Sequence, residues 1–303
     1  AGARNAICFL HSGGQTSCRQ MILRLSLRLA GISVMVHVGR RGSCARNLKS
    51  GGHGGVVRRD SSGTPIILKR SKRRFGKRRP IMTDALLTGP SHAPATGNAP
   101  KQLVVSLHGR GANGDDLIGL APVMAQHLPD AMFLSPDAPL PVDGFSTGLQ
   151  WFDSSNRDPA HMAAGVRAAA PAIDAFLDHH LAAHGLTDAN LAIFGFSQGC
   201  RMTLHVGLRR QNCPAVLLGF SGSLAAPESL ADEITVRPPV LLVHGEADDI
   251  VPHSSLAIAE AALKDAGVAV EAISRPGLGH GIDNEGFGYA IAHTMQAFGI
   301  ETN

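Results

Sequence analysis

The stretch Leu191-Ala-Ile-Phe-Gly-Phe-Ser-Gln-Gly-Cys-Arg-Met-Thr-Leu204 decides how the rest of the chain is read. An apolar run ends in Gly195-Phe196-Ser197-Gln198-Gly199, and a helix-compatible segment follows. This is the setting of a strand–nucleophile–helix elbow, in which a serine sits on a strained turn. Glycines on either side leave space where a Cβ would meet neighbouring backbone. The N–H of Gln198, opening the following helix, would point toward developing negative charge. A second G-x-S-x-G occurs at Gly144-Phe-Ser-Thr-Gly148. Pro139-Leu-Pro-Val-Asp143 before it is no buried strand and Leu149-Gln-Trp-Phe-Asp153 after it is no helix start, so context rejects Ser146 and keeps Ser197.

Around the elbow, short apolar runs alternate with helical patterns. Gln102–Leu107, Ala131–Leu134, Leu191–Phe196, Ala215–Gly219, Pro239–Val243 and Ala269–Ile273 read as strands. Helices are expected from Asp115 to about Leu128, over 158–184, 198–210, Ser254–Lys264 and Asn284–Phe298, with Pro171 breaking or kinking the second. The segment Leu86–Pro100 reads as a hairpin or loop. Alternating elements with continuously apolar strands predict a mostly parallel sheet with helices on both faces.

A serine hydroxyl needs an imidazole to take its proton, and the imidazole needs an acid to fix its tautomer. Downstream of Ser197, one strand runs into His244-Gly-Glu-Ala-Asp-Asp-Ile-Val-Pro252 and another toward Gly277-Leu-Gly-His-Gly281. Asp248 and His280 therefore fall beyond the carboxyl ends of their strands, where parallel sheets carry their sites. Their order, serine, acid, histidine, is that of an α/β-hydrolase. Spacing alone leaves Glu246 and Asp249 open beside Asp248. His180 and His184 stand i, i+4, but no third ligand accompanies them, so no metal site is expected.

From about Gln102 onward the chain resembles the phospholipase/carboxylesterase family, which includes acyl-protein thioesterases. The matching stretches are Leu107-His-Gly-Arg-Gly111, Ser135-Pro-Asp-Ala-Pro139, Trp151-Phe-Asp153, Gly195–Gly199, Gly219-Phe-Ser-Gly222, His244-Gly-x-x-Asp248 with Val251-Pro252, and Gly279-His280. The resemblance implies an α/β-hydrolase fold and a cofactor-free serine esterase with the triad Ser197, Asp248 and His280. It also implies an oxyanion hole from the backbone N–H groups of Arg110 and Gln198. The implied partner is a small-molecule ester, lysophospholipid or acyl thioester. Two positions depart from the family pattern: Cys200, where glycine is usual, and Arg110, where an apolar residue is usual.

Composition bounds the alternatives. Residues 1–81 carry 18 Lys/Arg against one acid, Asp60, and residues 82–303 carry 10 against 23. The first segment is expected to be a disordered or non-native basic extension ahead of Met82, with a transit peptide or nucleic-acid tail as the sharper readings. The catalytic domain is placed at 82–303, with no nucleic acid expected for it. The five cysteines form no C-x-x-C pair, which suits a reducing, cytoplasmic compartment. No apolar run reaches the roughly 20 residues of a transmembrane helix, and a homodimer is compatible with all of this. Two other functions deserve weighing. Gly109-Arg-Gly-Ala-Asn-Gly114 is a literal G-x-G-x-x-G, but Asp115 and Asp116 would repel a dinucleotide's pyrophosphate. A non-catalytic hydrolase-fold binding protein would leave all three triad residues without a purpose.

Overall fold

The computed structural model describes residues 6–8 (as backbone), 86–144 and 146–301. The basic extension expected at 1–81 lies outside these residues apart from Ala6–Cys8. In chain order the elements are β1 (Ala6–Cys8), β2 (Ser91–His92), β3 (Gln102–Leu107), α1 (Gly114–Ile118), α2 (Ala121–Met124), β4 (Ala131–Leu134), β5 (Leu140–Pro141) and β6 (Leu149–Gln150). They continue with α3 (Pro159–Ala183), β7 (Leu191–Phe196), α4 (Gln198–Gly207), β8 (Val216–Phe220), α5 (Leu230–Glu233), β9 (Val240–Gly245), α6 (Ser254–Asp265), β10 (Val270–Arg275), β11 (Gly281–Asp283) and α7 (Asn284–Ala297).

Seven strands form the main sheet in the order β10-β9-β8-β7-β3-β4-β2. All pair in parallel except β2, which runs antiparallel on β4 at the edge. The period of two along each strand sends side chains to two separate cores. Leu103, Val105 and Leu107 of β3, Leu191 and Ile193 of β7, and Leu242 of β9 face one core. That core is completed by α3, α4 and α6, through residues such as Ile173, Leu204 and Leu263. Val104, Ala192, Phe194, Leu218 and Leu241 face the other, closed by α1, α2 and α7 through Leu117, Met124 and Ile291. Because both faces are covered, the strands contain few polar residues, which is why they read as unbroken apolar runs.

Three expectations need correction. The helix expected from Asp115 to Leu128 is split into α1 and α2. Pro122 has no N–H to offer the carbonyl of Ile118, so the first ladder stops there and the second restarts with proline in its first turn. The segment 158–184 is instead continuous: α3 runs through Pro171. Both Pro171 and Arg167, whose carbonyl loses its partner, are exposed, so water can satisfy the freed oxygen. Asp158 caps the start of α3, accepting the N–H groups of Ala160 and His161 at 3.0 and 3.1 Å. The third difference is small: α4 ends at Gly207.

Candidate active site

Ser197 joins β7 to α4 with φ 56° and ψ −112°, a region that costs a non-glycine residue about 1–3 kcal/mol. Its N–H donates to the Phe220 carbonyl at 2.8 Å, tying the turn to β8. Its side chain does not cap α4. The flanking glycines are steric requirements. A Cβ on Gly199 would stand 1.8 Å from the Leu107 carbonyl oxygen, and one on Gly195 would stand 2.4 Å from that of Gly199. The helix can press onto the ends of β3 and β7 only because both are glycine. Ser146 lies exposed in the bend between β5 and β6, with no strand–helix geometry around it.

Asp248 and His280 come together from the loops after β9 and β10. His280 Nδ1 lies 2.8 Å from Asp248 Oδ2. A carboxylate can only accept, so Nδ1 carries the proton and Nε2 is the lone-pair nitrogen. The His280 ring packs on Phe196, the residue before Ser197, with centroids 4.9 Å apart. Of the three acids that spacing left open, Glu246 and Asp249 are exposed, whereas the Asp248 side chain is fully buried. Glu246 accepts from Ser274 Oγ instead.

The Asp248 carboxylate is saturated. Oδ1 accepts the N–H groups of Ile250 and Val251 at 2.9 and 2.8 Å. Besides His280, Oδ2 faces His244 Nε2 at 3.2 Å, and that nitrogen also reaches the Val251 carbonyl at 3.0 Å. Both neighbours of Nε2 are acceptors, so it is protonated. Burial alone would raise the carboxyl pKa, but the hydrogen bonds from His244, His280 and Val251 outweigh it and hold Asp248 well below the usual carboxylate range. A group depressed in the folded state stabilises above its unfolded pKa, about 3.9, and that contribution disappears as pH falls through the folded value. The stability lost in Asp248→Asn, read by urea unfolding, is therefore expected to be larger at pH 7 than at pH 3. A loss independent of pH would contradict this.

The loop after β3 lies against the elbow. A Cβ on Gly109 would sit 3.3 Å from Ser197 Cβ. Buried His108 accepts the Ala138 N–H at Nε2 (3.0 Å), so its Nδ1–H donates to the Gly109 carbonyl at 2.8 Å. Burial draws the His108 pKa down, in keeping with a neutral ring. In a trans peptide C=O and N–H point oppositely, so the Arg110 N–H is directed away from His108. The Gln198 N–H opens α4 and has no intrahelical acceptor. The Gln198 side chain clasps the loop around Trp151, accepting the Trp151 N–H at 2.9 Å and donating to the Phe152 carbonyl at 2.8 Å. Trp151 is buried, and its indole N–H donates to the His108 carbonyl at 2.9 Å. It anchors the β3 loop from behind.

The positioning roles of His108, His244 and Trp151 are not evident from sequence. Each acts through a hydrogen bond that periodicity does not encode. The family motif blocks Leu107–Gly111 and His244–Asp248 are the only sequence signal near the two histidines. Cys200 packs against Gly219 and Gly222 behind the elbow, and burial pushes its thiol up to about 12, too high for a reactive thiolate at neutral pH. In the glycine-rich loop, Asp137 Oδ1 accepts the Gly114 N–H at 2.8 Å, so the acid is engaged at the helix start where a pyrophosphate would need to sit. Among the described residues no group of three or more His, Cys, Asp or Glu side chains could hold a metal ion.

Comparison with known proteins agrees with this architecture. Residues 93–297 match the Phospholipase/Carboxylesterase family. Esterase YpfH of Escherichia coli (strain K12) is 28% identical over 194 residues, covering 64% of this chain and 82% of that protein. The Dictyostelium discoideum acyl-protein thioesterase 1 homolog 1 is 25% identical over 189 residues, covering 58% and 82%. Among solved structures, esterase PE8 superposes with a TM-score of 0.67 at 39% identity, over 70% of this chain and all of that one. Arabidopsis thaliana SOBER1 does so with a TM-score of 0.55 at 26% identity, over 65% and 98%. The sheet order, the elbow and the extent of these matches have one reading: the chain is an α/β-hydrolase belonging to the phospholipase/carboxylesterase family of ester and thioester hydrolases.

Proposed function

We propose that this protein is a serine carboxylesterase that cleaves carboxylic esters or acyl thioesters through an acyl-enzyme on Ser197. The observation that carries the reading is the 2.8 Å contact between Asp248 and His280, made beside the elbow with the imidazole against Phe196. In this mechanism Ser197 Oγ attacks the acyl carbonyl while His280 Nε2 takes its proton. Asp248 holds the Nδ1–H tautomer and stabilises the imidazolium that forms. The carbonyl oxygen becomes an oxyanion facing the N–H groups of Arg110 and Gln198. Collapse expels the alcohol or thiol, which leaves with the proton from His280. Water then attacks the acyl-enzyme by the same route, releasing the acid and restoring Ser197.

The substrates are short- to medium-chain esters, lysophospholipids or acyl thioesters, and the site of action is the cytoplasm. No helix among the described residues is long and apolar enough to cross a membrane. The large exposed apolar side chains among them are Leu86, Val123, Leu140 and Ile258. The test is a panel of p-nitrophenyl esters from acetate to palmitate, with fluorophosphonate labelling mapped by mass spectrometry. Turnover with the label on the Ser197 peptide is expected, with an optimum at or below medium chain length. A folded protein that turns over no ester and takes no label would favour a non-catalytic binding protein.

A further inference from the structure

The arginines of the described chain divide into two groups. Arg167, Arg209, Arg210 and Arg275 each form ion pairs with carboxylates, and Arg237 donates to the Ala266 carbonyl. Like Arg237, Arg110, Arg157 and Arg201 have no carboxylate at ion-pair distance among the described residues, and Arg110 Nε donates to Gln150 Oε1 at 3.1 Å. Arg110 follows Gly109, the glycine beside Ser197 Cβ. Arg157 lies just beyond the loop that Gln198 clasps. Arg201 is one helical turn after Ser197 on α4, with its N–H 3.4 Å from the Ser197 carbonyl oxygen. Arg110 and Arg201 thus lie next to the elbow without a carboxylate at ion-pair distance, whereas Arg237 lies elsewhere, against the Ala266 carbonyl.

Arg201 is the informative member. Every other residue of α4 is buried, and Arg201 alone is half-buried. Its Nε donates to Ser223 Oγ at 2.8 Å. Ser223 follows Gly222, where a Cβ would stand 3.0 Å from the Ser197 carbonyl oxygen. The guanidinium is therefore held by the segment that packs against the Ser197 backbone. Burial lowers its pKa, and the charge of Arg157 acts in the same direction. A half-buried cation is costly unless an anion compensates it, and no protein carboxylate supplies that anion here. Its planar fork suits carboxylate and phosphate.

We infer that Arg201, fixed by Ser223, is a substrate-selecting residue that receives a carboxylate or phosphate on the acyl or alcohol part of the ester. This rests on the serine-esterase reading and narrows its substrate class to esters bearing an anionic group. Arg157 adds positive potential at the same guanidinium.

The test uses two matched pairs of substrates. p-Nitrophenyl valerate and mono-p-nitrophenyl glutarate differ only in a terminal methyl against a carboxylate, on the acyl side. 1-Valerylglycerol and 1-valerylglycerol 3-phosphate place the anion on the alcohol side. In Arg201→Gln the anionic-to-neutral ratio of kcat/KM is expected to fall about 10- to 100-fold for one pair, chiefly through KM. Arg201→Lys should recover part of it, and the pair that responds identifies the side that carries the anion. If Arg201→Gln does not fold, the same ratio is read in Ser223→Ala, where the unanchored guanidinium should lower it. Turnover of the neutral esters with ratios unchanged in both pairs overturns the anion subsite while leaving the esterase reading intact. Absence of turnover of all four esters by the folded protein overturns both.

Discussion

Replacing Ser197 by alanine is expected to lower kcat on p-nitrophenyl esters by about 10⁶-fold, while the protein remains folded. The loss is this large because serine, imidazole and carboxylate act as a unit. Once the nucleophile is gone, His280 and Asp248 have no proton to move. On the proposed mechanism, what remains is whatever acceleration the Arg110 and Gln198 N–H groups would give to attack by water. The fold should tolerate the change, because the Ser197 side chain does not cap α4 and the backbone bond to Phe220 is independent of it. Alanine retains the unfavourable positive φ, so stability should change little. The decisive comparison is turnover together with the urea midpoint. A variant that keeps more than a few per cent of activity would place the nucleophile elsewhere and sink the proposed mechanism.

Gly199→Ala is expected to have the largest effect on the fold. Its methyl group would stand 1.8 Å from the Leu107 carbonyl oxygen and 2.8 Å from that of His108. Both atoms are backbone at the end of a buried central strand, so no side-chain rotation can relieve the clash. Either α4 lifts from the sheet or the turn after β3 shifts, and each disrupts the elbow and the loop after β3 together. Over-packing of this kind costs about 1–3 kcal/mol where side chains can adjust, and more where backbone must move. Loss of soluble expression, or a urea midpoint far below wild type with no fluorophosphonate labelling, is expected. A stable, active Gly199→Ala protein would show that α4 does not press on β3 as described. Gly288→Ala in α7 is the matched control, since a Cβ there meets nothing within 4 Å.

Much of this arrangement was legible in the sequence because it follows from periodicity and strand ends. Leu191–Phe196 could be read as a buried strand, and a parallel sheet places the residues after β7, β9 and β10 along one edge. That brought Ser197, Asp248 and His280 to the same place before any coordinates. The acid loop was less legible. Glu246, Asp248 and Asp249 are equivalent by chain distance, and what separates them is the fold-back that aims the Ile250 and Val251 N–H groups at one carboxylate. Pro171 misled because the penalty for a helical proline depends on which face it occupies. Trp151 and His108 are 43 residues apart, and their bond has no local signature. The anchored state of Arg201 was equally hidden, since it depends on a serine 22 residues downstream.

The strand order also bears on how the protein is made. From β7 onward, each new strand pairs with the one synthesised just before it, so this half of the sheet grows outward in the order in which it leaves the ribosome. The nucleophile turn can dock on the central strands early. Asp248 follows β9, and His280 arrives only after β10. A nascent chain can therefore hold a nearly complete sheet with an inert serine. On the proposed mechanism, the serine gains its general base only once the loop after β10 has been made and packs against Phe196.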